Sequence, residues 1–192
     1  SHILSSTIPN CKSYDPAYGY ELAVIIEHGL KEMYKDKKNY FYYLTVTNER
    51  YVQPPKPKGK DVDSNIIKGM HRISKTKKPQ IRLLGSGAIL NESSKAADIL
   101  SRFNIESEVW SVTSFNMLRK DGMEVENENI KNPSNKAKES FVAESFKEHD
   151  IPTVASTDYM RAYSEQIRPY IDSSYYTLGT VSYTHLRAHE TN

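Results

Sequence analysis

Two side chains near the start of the chain, His2 and Cys11 in SHILSSTIPNCKSYDP, are of types that do chemistry. An imidazole changes charge close to neutrality and can give or take a proton there. On its own, a histidine in a polar stretch is most often a solvated or hydrogen-bonded side chain. No paired carboxylates, Ser/His/Asp set or metal-binding spacing elsewhere in the sequence gives His2 a partner. Cys11 has no basic neighbour in sequence and reads as a small buried apolar group. Gly85-Ser86-Gly87 stands between a strand pattern and a helix pattern, where free amides and the helix dipole can hold an anion. It lacks the spacing of the G-x-G-x-x-G and Gly-Lys-Ser/Thr phosphate motifs, so a tight turn is the simpler reading. Lys56, Lys58 and Lys60 alternate with prolines rather than stacking aromatics, which makes a solvated linker and not a single-stranded nucleic-acid site.

The surrounding composition narrows the partners further. Across 192 residues, 26 basic and 24 acidic side chains leave a net charge of +2, too weak a field to argue for nucleic acid or an anionic membrane. One cysteine forms no internal disulfide and no multi-thiolate zinc site, and nothing has the pattern of a secretory signal, so the cytoplasm is the expected compartment. The apolar runs fall far short of the roughly 20 residues that cross a bilayer. Neither nucleic acid nor membrane is an expected partner.

Alternating patterns set the expected elements. Asp15-Pro16 reads as a helix start, with Leu22, Ile26, Gly29, Leu30 and Met33 at helical spacing, giving one helix from Pro16 to Lys35. NYFYYLTVTN is dense in aromatic and β-branched residues and reads as a strand covered on both faces. YVQPPKPKGKDVD is a linker, followed by a short helical piece around Ile66, Ile67 and Met70. QIRLLGSG is a strand closed by glycine, and Ile89, Leu90, Ala96, Ala97, Leu100 and Phe103 form a helix stripe. SEVWSV is the next strand, with Ser114 capping a helix through Leu118; EVENENIKNPSNK reads as a loop and Ala137 to Glu148 as a helix. PTVAS is a third strand, with Thr157 or Asp158 capping a helix that carries Met160, Tyr163 and Ile167. Tyr175 to Leu178 is a fourth strand. Alternating strands and helices imply an α/β fold with parallel pairing through right-handed crossovers.

The phrases SHILSSTIPNCKSYDPAY, FYYLTVTNERY, LLGSG, SVTSF and VASTDYM, in that order, resemble the homodimeric type of bacterial pyruvate dehydrogenase decarboxylating component, a transketolase-like family. The resemblance runs from Ser1 to about Thr180. It implies parts of two transketolase-like α/β domains: residues 1–50 as the end of the pyrimidine-binding domain and 80–180 as a truncated, Rossmann-like C-terminal domain. Residues 51–79 join them. The chain would then be an internal stretch of a much longer enzyme that decarboxylates pyruvate oxidatively and passes the acetyl group to lipoyl groups. After Leu178 the chain reads GTVSYTHLRAHETN where the family carries a glycine-rich continuation, which sets residues 181–192 apart from the resemblance. They resemble readthrough sequence, so His185 and His189 carry no metal-site reading.

The resemblance also assigns partners and a role. In the parent enzyme it implies thiamine diphosphate and magnesium as cofactors, pyruvate as substrate, a dihydrolipoyl acetyltransferase core as protein partner, and a homodimer. Ser1-His2 is similar to the end of a family Gly-x-x-His phrase, which implies that His2 is catalytic, contacting the pyruvate carboxylate or moving a proton. The family's cofactor-activating glutamate and metal-binding segment match nothing here, so the chain alone is expected to bind no cofactor and to be inactive. Where Asn132 stands, a histidine is common in the family. Two other readings are a related transketolase-like thiamine enzyme and a non-catalytic α/β interaction module.

Overall fold

The computed structural model describes residues 2–47 and 50–180; His185, His189 and the whole 181–192 ending lie outside the described residues. The chain opens with a short helix, His2–Ser5 (α1), and a strand, Cys11–Tyr14 (β1). Helix Gly19–Leu30 (α2) runs into a π-helical turn, Lys31–Lys35, before strand Phe41–Leu44 (β2). β1 and β2 form a two-stranded parallel sheet with Cys11 opposite Phe41 and Tyr14 opposite Leu44. Tyr14, Ile25 and Ile66 are buried together on one face of this sheet, with Tyr42 and Leu44 packed against them.

Helix Val62–Lys68 (α3) ends at Gly69, whose φ of 120° a side chain would rarely accept. A second sheet follows. Its strands are Met70–Arg72 (β3), Ile81–Gly85 (β4), Ser107–Val112 (β5), Thr153–Met160 (β6) and Tyr175–Thr180 (β7), in the order β3-β5-β4-β6-β7. Only β3 is antiparallel within this sheet. Helices Ile89–Ser101 (α4), Phe115–Lys131 (α5), Phe141–Phe146 (α6) and Ala162–Glu165 (α7) connect the strands.

Neighbouring residues of one strand point to opposite faces. Leu83 and Val109 accordingly pack with Leu90 of α4, whereas Leu84 and Trp110 pack with Phe115, Leu118, Val142, Phe146 and Tyr163. Burial on both sides explains why these strands read as nearly continuous apolar runs.

The expected α/β class and the four strands from Ile81 onward are present, and Ser114 caps α5 by accepting the Met117 amide at 3.0 Å. Several local expectations are corrected. α2 begins at Gly19, not at Pro16, because the buried Glu21 carboxylate takes the Ala17 and Tyr18 amides at 2.7 and 3.0 Å, the role assigned to Asp15. β2 is only partly covered: Phe41 is 44% exposed, and Tyr42, Tyr43 and Leu44 are half-buried. Met70 leaves the helix at Gly69 and joins β3.

Phe103 lies past the end of α4 and is exposed. Residues Glu124 to Lys131, read as loop, continue α5, whose exposed face carries Glu124, Glu126, Asn127, Glu128 and Lys131 beside Met123 and Ile130. Helix Ala137 to Glu148 shortens to α6, started by Ser140 accepting the Ala143 amide at 3.2 Å. Thr157 and Asp158 cap no helix and Met160 lies in none, because β6 runs on to Met160 alongside β7 and α7 begins only at Ala162.

Candidate functional site

The C-terminal ends of β1, β2, β4 and β6 converge on one place, and there the structure sets His2. Ligand sites in open α/β sheets form outside the carboxyl ends of the strands. Asp15 follows β1, Thr45 follows β2, Ser86 follows β4, and Tyr159 stands in the stretch of β6 where the pairing with β7 shifts register. α1 brings His2 into this group. Its carbonyl accepts the Asn116 side-chain amide at 2.7 Å and the Ser5 hydroxyl at 2.7 Å, fastening the short helix to α5.

The imidazole is fully buried among tyrosines. It stacks on Tyr163 at 5.0 Å between ring centroids and 19° between planes, meets Tyr159 edge-on at 4.9 Å, and lies against Tyr43 at 5.2 Å. Its Nε2 is 2.9 Å from Thr45 Oγ1, and Nδ1 has no hydrogen-bond partner among the described residues. Burial lowers its pKa to about 4, so the ring is neutral at pH 7.

Thr45 Oγ1 donates in turn to Asp15 Oδ1 at 2.6 Å. A hydroxyl has one proton to give. With that proton directed to the carboxylate, Thr45 accepts from His2, which fixes the Nε2–H tautomer and leaves a free lone pair on Nδ1. The Asp15 carboxyl is buried and its pKa is raised to about 6. Burial is the main cause, opposed by hydrogen bonds from Thr45 and Ser86 and reinforced by Asp158 and Glu21. Tyr159, which also reaches Thr45, is raised to about 12 by burial and the nearby Asp15 charge.

The glycine turn is closed to an outside anion. Ser86 N bonds Ser156 O, Gly87 N bonds Asp15 O at 3.0 Å, and the Ile89 and Leu90 amides bond back to the Ser86 and Gly87 carbonyls. A Cβ on Gly87, whose φ is 52°, would stand 2.6 Å from Asp15 Oδ2. The tight-turn reading therefore holds, and the turn's partner is Asp15 itself. Cys11 is buried and burial raises its thiol pKa, in keeping with an inert role. Lys56 pairs with Asp63 at 2.8 Å in the exposed linker. Asn132 ends α5, away from this site.

Sequence reasoning missed Asp15, Thr45 and Asn116 as partners of His2. Asn116 holds the His2 carbonyl, Ser5 and Ser13 together. Its one legible sign was a polar residue at a position of α5 that faces inward.

The transketolase-like TK C-terminal domain family matches residues 69–185, more than half of the chain. The chain belongs to this family. Residues 1–54 match the pyruvate dehydrogenase E1 component middle domain. The chain is 50% identical over 185 residues to the pyruvate dehydrogenase E1 component of Pseudomonas aeruginosa, and 44% identical to those of Cupriavidus necator and Escherichia coli K12. These similarities cover 94% of the chain but 20 to 21% of each relative, so it spans about a fifth of the length of the curated relatives it matches. Among solved structures, transketolase from Campylobacter jejuni superposes with a TM-score of 0.62 at 16% identity, covering 94% of this chain and 23% of that one. Transketolase from Leishmania mexicana gives 0.62 at 12% identity, over 94% and 22%. They show the fold.

The described residues do not form a seat for the diphosphate and metal of thiamine diphosphate. Asp15 fills the space at the glycine turn, and no group of three His, Cys, Asp or Glu side chains is placed to hold a metal ion. No described helix is long and apolar enough to cross a membrane.

Proposed function

We propose that this chain serves in a pyruvate dehydrogenase E1 component, an enzyme that oxidatively decarboxylates pyruvate with thiamine diphosphate and magnesium and hands the acetyl group to the lipoyl groups of an acetyltransferase core. Residues 1–50 act as the end of the pyrimidine-binding domain, 51–79 as the connection, and 80–180 as the C-terminal domain. The carrying observation is His2. It is neutral and clamped by Thr45, and its Nδ1 lone pair is unused at the carboxyl ends of the strands. A neutral imidazole held this way can accept a proton or, as the other tautomer, donate a hydrogen bond to a substrate carboxylate. Its rings of Tyr43, Tyr159 and Tyr163 keep water from the stacked faces.

Thiamine diphosphate, when bound, supplies the carbanion chemistry. Its diphosphate and metal would be held by residues other than the described ones, and the homodimer would complete the site. Support for assembly comes from a split-gene transketolase described as an inactive beta4 tetramer, which superposes with a TM-score of 0.56 over 93% of this chain. The cytoplasm fits such an enzyme.

The test uses the Escherichia coli relative. Replacing its histidine equivalent to His2 by alanine is expected to lower pyruvate turnover by about 10² to 10⁴ while leaving thiamine diphosphate affinity unchanged. Unchanged turnover would return His2 to a structural role.

A further inference from the structure

We propose that His2, Thr45 and Asp15 form a two-setting proton relay, in which Asp15 takes up the proton displaced from Nε2 when Nδ1 accepts one, so that the imidazole stays neutral throughout. The inference rests on the reading of His2 as the proton-handling residue, and it makes Asp15 a positioning residue that acts through Thr45.

The geometry defines both settings. In the first, Asp15 is a carboxylate, Thr45 Oγ1–H points to Oδ1 at 2.6 Å, and His2 Nε2–H points to Oγ1 at 2.9 Å. Nδ1 is then a base with a bare lone pair. When a proton arrives at Nδ1, the Nδ1–H bond forms and the Nε2–H bond breaks toward Oγ1. The Oγ1–H bond to the old proton breaks as that proton forms Oδ1–H on Asp15. In the second setting Asp15 is a neutral acid and Thr45 donates to Nε2, while His2 carries its proton on Nδ1, ready to return it. One proton has entered and the electron pairs have moved one bond along; no co-reactant is required.

The surroundings favour this route over an imidazolium. His2 is enclosed by neutral aromatic rings, so a full charge on it is costly; this burial, and after it the positive charge of the amino terminus beside it, lowers its pKa to about 4. Asp15 meets Glu21 from α2, Asp158 and Tyr159 from β6, and Tyr163 from α7, besides the hydroxyls of Thr45 and Ser86. All of these are acidic or neutral, so the carboxylate gains from accepting a proton. The proton therefore costs less on Asp15 than on the ring.

The full chain, labelled with ¹⁵N in histidine, tests this directly by NMR, with H2Q identifying the His2 signals. At pH 8, Nε2 is expected to be protonated and Nδ1 bare. Between about pH 6 and pH 4, where Asp15 is protonated and His2 is not, the tautomer is expected to reverse. D15N is expected to abolish the reversal and T45V to uncouple the ring from Asp15, while T45S restores the wild-type pattern. A His2 ring that keeps Nε2–H until it titrates, or one that reverses equally in T45V, overturns the relay. Should T45V not fold, the pH series on wild type and D15N decides alone. A relay that reverses as expected, beside unchanged turnover in the histidine-substituted Escherichia coli relative, would leave the relay standing and remove the functional reading.

Discussion

The two sheets of this chain differ in what holds them. The five-stranded sheet is covered on both faces by its own helices, and Leu84, Val112, Phe115, Leu118 and Ala155 are fully buried in it. The two-stranded sheet keeps a small cluster around Tyr14, Ile25 and Ile66 and leaves Phe41 and Leu30 exposed. Yet the chemical groups, His2, Asp15 and Thr45, all come from the smaller part. The larger part positions them: Asn116 grips the His2 carbonyl, Tyr159 and Tyr163 enclose its ring, and the Gly85 turn receives Asp15. A well-packed sheet thus acts as the mould in which a smaller one sets His2, Asp15 and Thr45.

Core truncations should expose this asymmetry most strongly. Leu84→Ala opens a cavity between β4 and α5 and is expected to cost about 2–5 kcal/mol in chemical denaturation. Leu44→Ala, at a half-buried position of β2, should cost about 1 kcal/mol, since less apolar area leaves water there. Equal losses would mean that both sheets carry cores of the same quality.

A smaller change should cut the joint without touching either core. Asn116→Ala removes the side-chain amide shared by His2 O, Ser5 Oγ and Ser13 Oγ, and leaves buried acceptors without it. The expected loss is about 1–3 kcal/mol. Hydrogen exchange should quicken in α1 and β1 and stay slow in β4 and β5; uniform quickening would show that the two parts unfold only together.

The smallest effect is in the pH dependence. Asp15 is raised to about 6, so from about 4 to 6 the folded chain holds a proton that the unfolded chain has released, and stability falls as pH rises. His2 is lowered to about 4, so from about 4 to 6.5 the unfolded chain holds the extra proton, and stability rises with pH. Glu32 and Glu165, both lowered to about 2, act below about 4.5. Between about 4.5 and 6 the first two slopes oppose each other in the wild type. D15N should unmask the rising slope and H2Q the falling one; two variants with the same slope would show that one of these assignments is wrong.

What the sequence disclosed follows the same division. The strands from Ile81 onward were legible because burial on both faces leaves apolar runs bounded by glycine, proline or polar turns. β1, with the sequence CKSY, was not legible, since Ser13 is there to meet Asn116 and Ser114 rather than to fill a core. The second half of α5 was read as loop because a helix that buries only one narrow stripe is mostly Glu and Asn. Asp15 before Pro16 has the local form of a helix cap, and only the tertiary structure shows its carboxyl turned to Thr45 and the Gly87 turn. His2 stood out by type alone and took its catalytic role from the resemblance; its partners lie 43 and 114 positions away and leave no local pattern.

The central claim is that the smaller part is set by the larger one at Asp15. Amide exchange at two positions measures it: Asp15 N, bonded to Thr113 O at 2.7 Å, and Gly87 N, bonded to Asp15 O at 3.0 Å. Both are expected to exchange as slowly as Leu83 and Leu84 in the middle of β4. Fast exchange at Asp15 and Gly87 beside slow exchange in β4 would contradict the account, for it would mean that the five-stranded sheet stands without holding the residues around His2.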